Sequence, residues 1–113
     1  MKKFIVIYHA PIDFMKESMN SSPEEMKKGM EDWMLWAKNT GENLFDFGLP
    51  LTGGIKLSHD GSSSESKKEV CGYSVLEAED MNQAKSIMQD HPHLKWKDGC
   101  EIEIHESMPV PGE

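Results

Sequence analysis

Five histidines and one carboxylate set among aromatics are the residues of this 113-residue chain with the most obvious capacity for chemistry. Asp46 interrupts the apolar stretch 44–51 and is flanked by Phe45 and Phe47. A carboxylate desolvated between two rings becomes a usable general acid or base; at a sheet edge it would simply face water. His91 and His93 bracket Pro92. In extended backbone, positions two apart point the same way, so both rings could converge on one site. Two such ligands are compatible with a metal, but the sequence places no third, and no metal site is assigned. The plainer reading is a helix-ending turn with solvated imidazoles. His9 closes the first apolar run, at a strand end of the kind that lines clefts, where an imidazole can switch charge near neutral pH; it could equally be a satisfied histidine at a strand terminus. Asp46 and His93 are therefore the candidate acid–base pair. His9, Trp33, Tyr73 and His91 are the candidate ligand-binding side chains.

Other residues carry weaker signals. Trp33 falls on an apolar helical stripe and is expected in the core, whereas Trp36 lies off its centre and could reach a partner or a cleft wall. Met15, Met19, Met26, Met30 and Met34 crowd the first third of the chain; flexible thioethers suit adaptable pockets as well as cores, and core packing is the expectation. Phe14, Met15 and Met19 could form a lid. His59, beside Asp60-Gly61, is expected to be solvated.

Several chemistries are disfavoured outright. No Cys-x-x-Cys pair, phosphate-binding loop, dinucleotide fingerprint or nucleophile elbow occurs, and no cofactor is implied. Twenty acids stand against twelve bases, all lysine, for a net charge of -8. Such a balance argues against nucleic acid and anionic membranes as partners. The absence of arginine removes the usual bidentate clamp for phosphate or carboxylate. No apolar run reaches the roughly 20 residues of a membrane span, and the first ten residues do not read as a signal peptide. Cys71 and Cys100 fall on strands expected to be separated by a third, beyond disulfide reach, so both are expected as reduced thiols in a cytoplasmic setting.

The elements that must position these residues are legible from pattern. Residues 3–9 are β-branched and aromatic; Phe4, Val6 and Tyr8 alternate with Ile5, Ile7 and His9, so this strand should be covered on both faces. Ser22 with Glu25 forms a capping box, Pro23 suits the first helical position, and Gly41 a left-handed stop, which predicts a helix over 23–40. Met26, Met30, Trp33, Met34 and Ala37 would be its buried stripe. A strand over 44–51 follows, with 54–58 as its possible continuation, and a loop or hairpin tip over 60–68. Residues 70–78 and 100–106 read as strands. Between them Asp80 and Gln83 cap a second helix that buries Ala84, Ile87 and Met88 and stops before Pro92. The last strand turns Ile102 and Ile104 one way and Glu101, Glu103 and His105 the other. One domain over 1–107 is expected, with an extended tail over 108–113.

The order β-α-β-β-α-β predicts an α+β, ferredoxin-like unit with an antiparallel sheet in the strand order 4-1-3-2 and both helices on one face. The other face would carry exposed apolar surface, of the kind that marks an interface. A homodimer with its two sheets face to face is the expectation; the alternative is a monomer whose tail or long loop covers the sheet.

The chain also resembles the YCII-related proteins, particularly the branch named for an Asp-Gly-Pro-Phe motif. The pieces are Gly41-x-x-Leu44, Asp60-Gly61 followed by Glu65-x-Lys67, Gly72-Tyr73, the run Glu77 to Ala84, and Asp90-His91-Pro92-His93-Leu94. The resemblance implies a dimeric α/β barrel and no particular activity. Two departures stand out. Ser62-Ser63 replaces the Pro-Phe of the motif, and Met30 occupies the slot of a helix histidine that some members pair with an aspartate. The functional expectation is a small-molecule pocket between sheet and helices, whether in an enzyme using Asp/His acid–base chemistry or in a non-catalytic dimeric binding or sensor module.

Overall fold

The computed structural model describes residues 1–13, 22–67, 69–96, 98–109 and 111. Its central strand, β1 (Lys2–His9), buries Phe4, Val6 and Tyr8 completely on one face, as the alternation dictates. It lies between β5 (Val70–Ala78) and β6 (Glu101–Glu106), antiparallel to both. β2 (Leu44–Asp46) pairs with the other side of β5, giving a four-stranded antiparallel sheet in the order β2-β5-β1-β6.

Two helices lie against the face that carries Phe4, Val6 and Tyr8. α1 (Pro23–Thr40) starts where Ser22 Oγ accepts the Glu25 amide at 3.2 Å and stops at Gly41, whose φ is +64°. α2 (Met81–Met88) starts at Asp80, which accepts the Gln83 amide at 2.8 Å while Gln83 Oε1 accepts the Glu79 amide at 2.7 Å. The core joins Phe4, Val6, Tyr8, Leu76 and Ala78 of the sheet to Trp36 of α1 and to Ala84 and Met88 of α2. No helix among the described residues is long and apolar enough to cross a membrane.

Three expectations need correction. The methionine stripe of α1 is not core: Met26, Met30 and Met34 are each about half exposed, and residues 23–32 are exposed throughout. Only the last turns of α1 reach the sheet, through Trp33, Trp36 and Ala37. The tryptophans also exchange roles, since Trp36 is buried and anchored by its indole N–H to the Ile87 carbonyl at 3.3 Å, while Trp33 is only partly covered. Helical spacing identifies a face, but the sheet beneath decides how much of its length is used.

The third correction concerns 54–58. β2 is only three residues long, because Gly48 turns the chain with φ +78° and Asp46 Oδ1 accepts the Gly48 amide at 2.9 Å. Beyond β2 the chain keeps separate contacts with β5: the Phe47 carbonyl accepts from Ser74 Oγ at 2.6 Å, Pro50 is bridged to Gly72, and the Leu51 amide donates to the Cys71 carbonyl at 3.0 Å. Residues 54–58 do not continue β2; β3 (Ile55–Leu57) pairs with β4 (Ser63–Glu65) in a separate hairpin. At its tip Asp60 Oδ1 accepts from both the amide and the hydroxyl of Ser62, at 2.9 and 2.6 Å. Ser62, which departs from the Pro-Phe motif, thus supplies a turn contact that proline could not make.

The sheet face opposite the helices carries Ile5, Ile7, Tyr73 and Val75 across the β1–β5 ladder. Lys3 Nζ sits 4.1 Å from the centre of the Phe45 ring. Glu101, Glu103 and His105 continue the same face along β6, opposite His9, Ile7 and Ile5.

Candidate functional site

Two chemical clusters meet where β1 leaves the sheet. The inner one is built by the short 3-10 helix Pro92–Lys95. His91 caps it: Nδ1 accepts the His93 amide at 2.9 Å, which places the imidazole proton on Nε2. His91 and His93 are both fully buried, so the solvated turn is excluded. The His91 ring lies 4.3 Å from Trp33, 4.3 Å from Trp36 and 4.9 Å from Tyr8, centre to centre. Its Nε2 has no hydrogen-bond partner among the described residues. Burial, with His93 as a lesser influence, pushes the His91 pKa down to about 3. His93 is also lowered by burial, although its Nε2–H donates to the His9 carbonyl at 2.7 Å, which opposes the shift. The space between sheet and α1 is thus occupied by rings, with neutral imidazoles acting as packing groups.

A second hydrogen-bonded chain runs beside them. Tyr8 OH donates to Ser74 Oγ at 2.8 Å, and Ser74 donates onward to the Phe47 carbonyl at 2.6 Å. Burial raises the Tyr8 pKa to about 12, so the phenol stays protonated. Tyr8→Phe removes one donor and leaves Ser74 satisfied by Phe47, an expected cost of about 1 kcal/mol. Ser74→Ala strands both the Tyr8 hydroxyl and the Phe47 carbonyl, and about 2 kcal/mol is expected. Urea unfolding of the two variants checks the order; equal losses would contradict the chain as drawn.

The outer cluster is a cleft of about 390 Å³ lined by His9, Glu69, Glu101, Ile102 and Glu103. Two backbone irregularities shape it. The β1–β5 register slips between Tyr8 and His9, where Cys71 is the extra residue on β5. Glu69 holds φ +57°, a left-handed conformation that costs a non-glycine residue about 1 kcal/mol or more, and its carbonyl accepts the Ala10 amide at 2.9 Å. Within the cleft His9 Nε2 lies 2.6 Å from Glu103 Oε1, and the other oxygen, Oε2, lies 2.8 Å from His105 Nε2. The hydrogen bond from His105, with His9 adding to it, holds the Glu103 carboxyl below the usual range. Such a pair can orient an imidazole and move a proton to or from a small molecule.

The structure unites some candidates and separates others. Trp33, His91, His93 and the His9 backbone form one continuous network. Asp46 is exposed and holds the turn at Gly48. Tyr73 is half-buried on the open sheet face, opposite Ile7. His59 is exposed, and Cys71 and Cys100 are free thiols. Phe14, Met15 and Met19 lie outside the described residues. Glu69, Glu101 and Glu103 were not singled out by sequence reasoning. The alternation that turns Glu101, Glu103 and His105 away from Ile102 and Ile104 was the available signal; what it lacked was the register that sets Glu103 beside His9. Among the described residues no three His, Cys, Asp or Glu side chains are grouped to hold a metal ion.

The family model of the YCII-related domain matches residues 1–106. No curated protein matches the chain.

Proposed function

Because the chain belongs to the YCII-related domain family, we propose that it is a small-molecule enzyme of the Asp-Gly-Pro-Phe branch, working as a cytoplasmic dimeric α/β barrel. The strand order β2-β5-β1-β6, with both helices on one face, supports a ferredoxin-like unit. The partly apolar open face of Ile5, Ile7, Tyr73 and Val75 supports pairing with a second copy. The free thiols Cys71 and Cys100 support a reducing compartment.

The observation that carries the catalytic reading is the 2.6 Å contact between His9 and Glu103 inside a cleft. In this reading His9 is the general acid or base and Glu103 its orienting carboxylate. They take the roles that sequence reasoning assigns to His93 and Asp46. His93 holds the His9 carbonyl and so supports the position of His9 from behind.

The test is turnover of a panel of small lactones, enolisable ketones and 2-oxoacids, with the wild type set against His9→Gln. A general acid–base role predicts a loss of kcat of about 100- to 10,000-fold with KM little changed. Binding at the cleft without turnover favours the non-catalytic module instead. Equal turnover in both proteins removes His9 from the mechanism. The dimer has its own arm: Ile7→Asp should halve the sedimenting mass, and a wild type that already sediments as one chain ends the barrel.

A further inference from the structure

The methionine stripe of α1 lies in water rather than in the core, which leaves three thioethers without a packing role. We propose that Met26, Met30 and Met34 form a binding site for a soft monovalent cation of the copper(I) class. The site is separate from the cleft at His9 and independent of the function read there. Spacing carries the first part of the argument. The three side chains recur at i, i+4 and i+8 within α1, so they share one stripe and each lies about 6 Å along the axis from the next. Their exposures are alike, at 53%, 48% and 53%. A methionine side chain turns about three bonds, so the sulfurs can swing over the intervening turns to share one ion. Gly29, between Met26 and Met30, keeps one flank open, since nothing lies within 4 Å of a Cβ built there. Lys27 and Glu31 border the other flank with charges of opposite sign.

Composition carries the second part. Among residues 23–32, Met26 and Met30 are the only large apolar side chains; apart from Pro23 and Gly29 the rest are charged. What distinguishes the stripe from its surroundings is therefore sulfur. Thioether sulfur is a soft, uncharged donor that selects copper(I), whereas zinc takes thiolate, imidazole or carboxylate and magnesium and calcium take oxygen. Binding releases no proton, because a thioether has none to lose. Three neutral donors leave the ion its single positive charge, which a chain of net charge -8 favours.

The experiment titrates protein carrying carbon-13 methionine methyls with silver(I) nitrate in chloride-free buffer, silver being the redox-inert stand-in for copper(I). Cys71 and Cys100 also offer soft donors, so binding is read residue by residue from the methyl resonances. Met26, Met30 and Met34 should shift together, with a midpoint about 100-fold lower in silver than that of the singly exposed Met108, because the second and third sulfurs bind intramolecularly. Zinc(II) should move none of them. Met30→Leu keeps the stripe apolar and helical but removes the central donor. In that variant Met26 and Met34 should respond only where Met108 does. Wild-type midpoints equal to that of Met108, or midpoints unchanged by Met30→Leu, would overturn the site. Neither arm measures turnover, so this failure is distinct from failure of the cleft.

Discussion

Lowering the pH from 7.5 to 5 is expected to cost the folded protein about 2 kcal/mol through His91 alone. The imidazole titrates at about 3 in the fold, against 6.5 for the free side chain. Between those values the unfolded chain binds the proton that the native state refuses, so stability rises with pH across the window and falls as acid is added. Above pH 7 both states are neutral and the effect vanishes. The cause is structural: the added proton would have to go on Nδ1, which now accepts the His93 amide, and the charged ring would lie buried among Trp33, Trp36 and Tyr8. His93, also depressed by burial, adds a loss of the same sign. Glu103 acts lower on the scale, since its depressed carboxyl gives stability that is present above the ordinary glutamate range and lost as pH falls through its folded value.

Urea unfolding at pH 7.5, 6 and 5, at fixed protein concentration, measures the slope. His91→Asn is the informative variant, because the Asn side-chain oxygen can replace Nδ1 as acceptor for the His93 amide while removing the titration. It should be less stable at pH 7.5, having lost ring contacts, yet shallower in its pH dependence by about 2 kcal/mol between 7.5 and 5. Parallel curves for the two proteins would show that His91 does not carry the effect.

The second large effect is expected from Gly48→Ala. A Cβ at this position would lie 1.8 Å from the Tyr73 carbonyl oxygen and 2.7 Å from its carbon, both backbone atoms of β5. The glycine also holds φ +78°, which alanine adopts only at a cost of about 1 to 2 kcal/mol. Relief requires β2 and the Pro50 bridge to move away from β5, adding an overpacking cost of about 1 to 3 kcal/mol. A total loss of about 2 to 5 kcal/mol is expected. Gly29→Ala is the natural contrast. That position lies within α1, with nothing within 4 Å of the added carbon, and a gain of about 0.5 to 1 kcal/mol is expected from helix propensity. Thermal melts of the two variants should shift in opposite directions; a neutral Gly48→Ala would mean that the β2–β5 edge is far more yielding than drawn.

Much of the fold was readable because its signals are local. The capping pairs at Ser22–Glu25 and Asp80–Gln83 start both helices, and Gly41 ends the first. The 70–78 strand has the bounds its composition implies. The 44–58 region is less legible, since one residue there, Gly48 with its positive φ, interrupts an apparently continuous strand, which bonds β5 again at Pro50 and Leu51. The methionines of α1 mark the other failure: periodicity predicts a face, but nothing in the helix says where the sheet beneath it ends.

The candidate site divides along the same line. By itself the sequence determined that His9 ends a central strand, that Glu103 and His105 share the face opposite Ile102 and Ile104, and that His91 and His93 flank a helix stop, because nearest neighbours impose strand alternation and capping. Only the tertiary structure decided that His91 is enclosed by Trp33, Trp36 and Tyr8, and that Glu103 reaches across to His9. Those contacts join residues far apart in the chain. They depend on the register of β1 against β6 and on the bulge at Tyr8 and His9, which arise from packing the whole sheet.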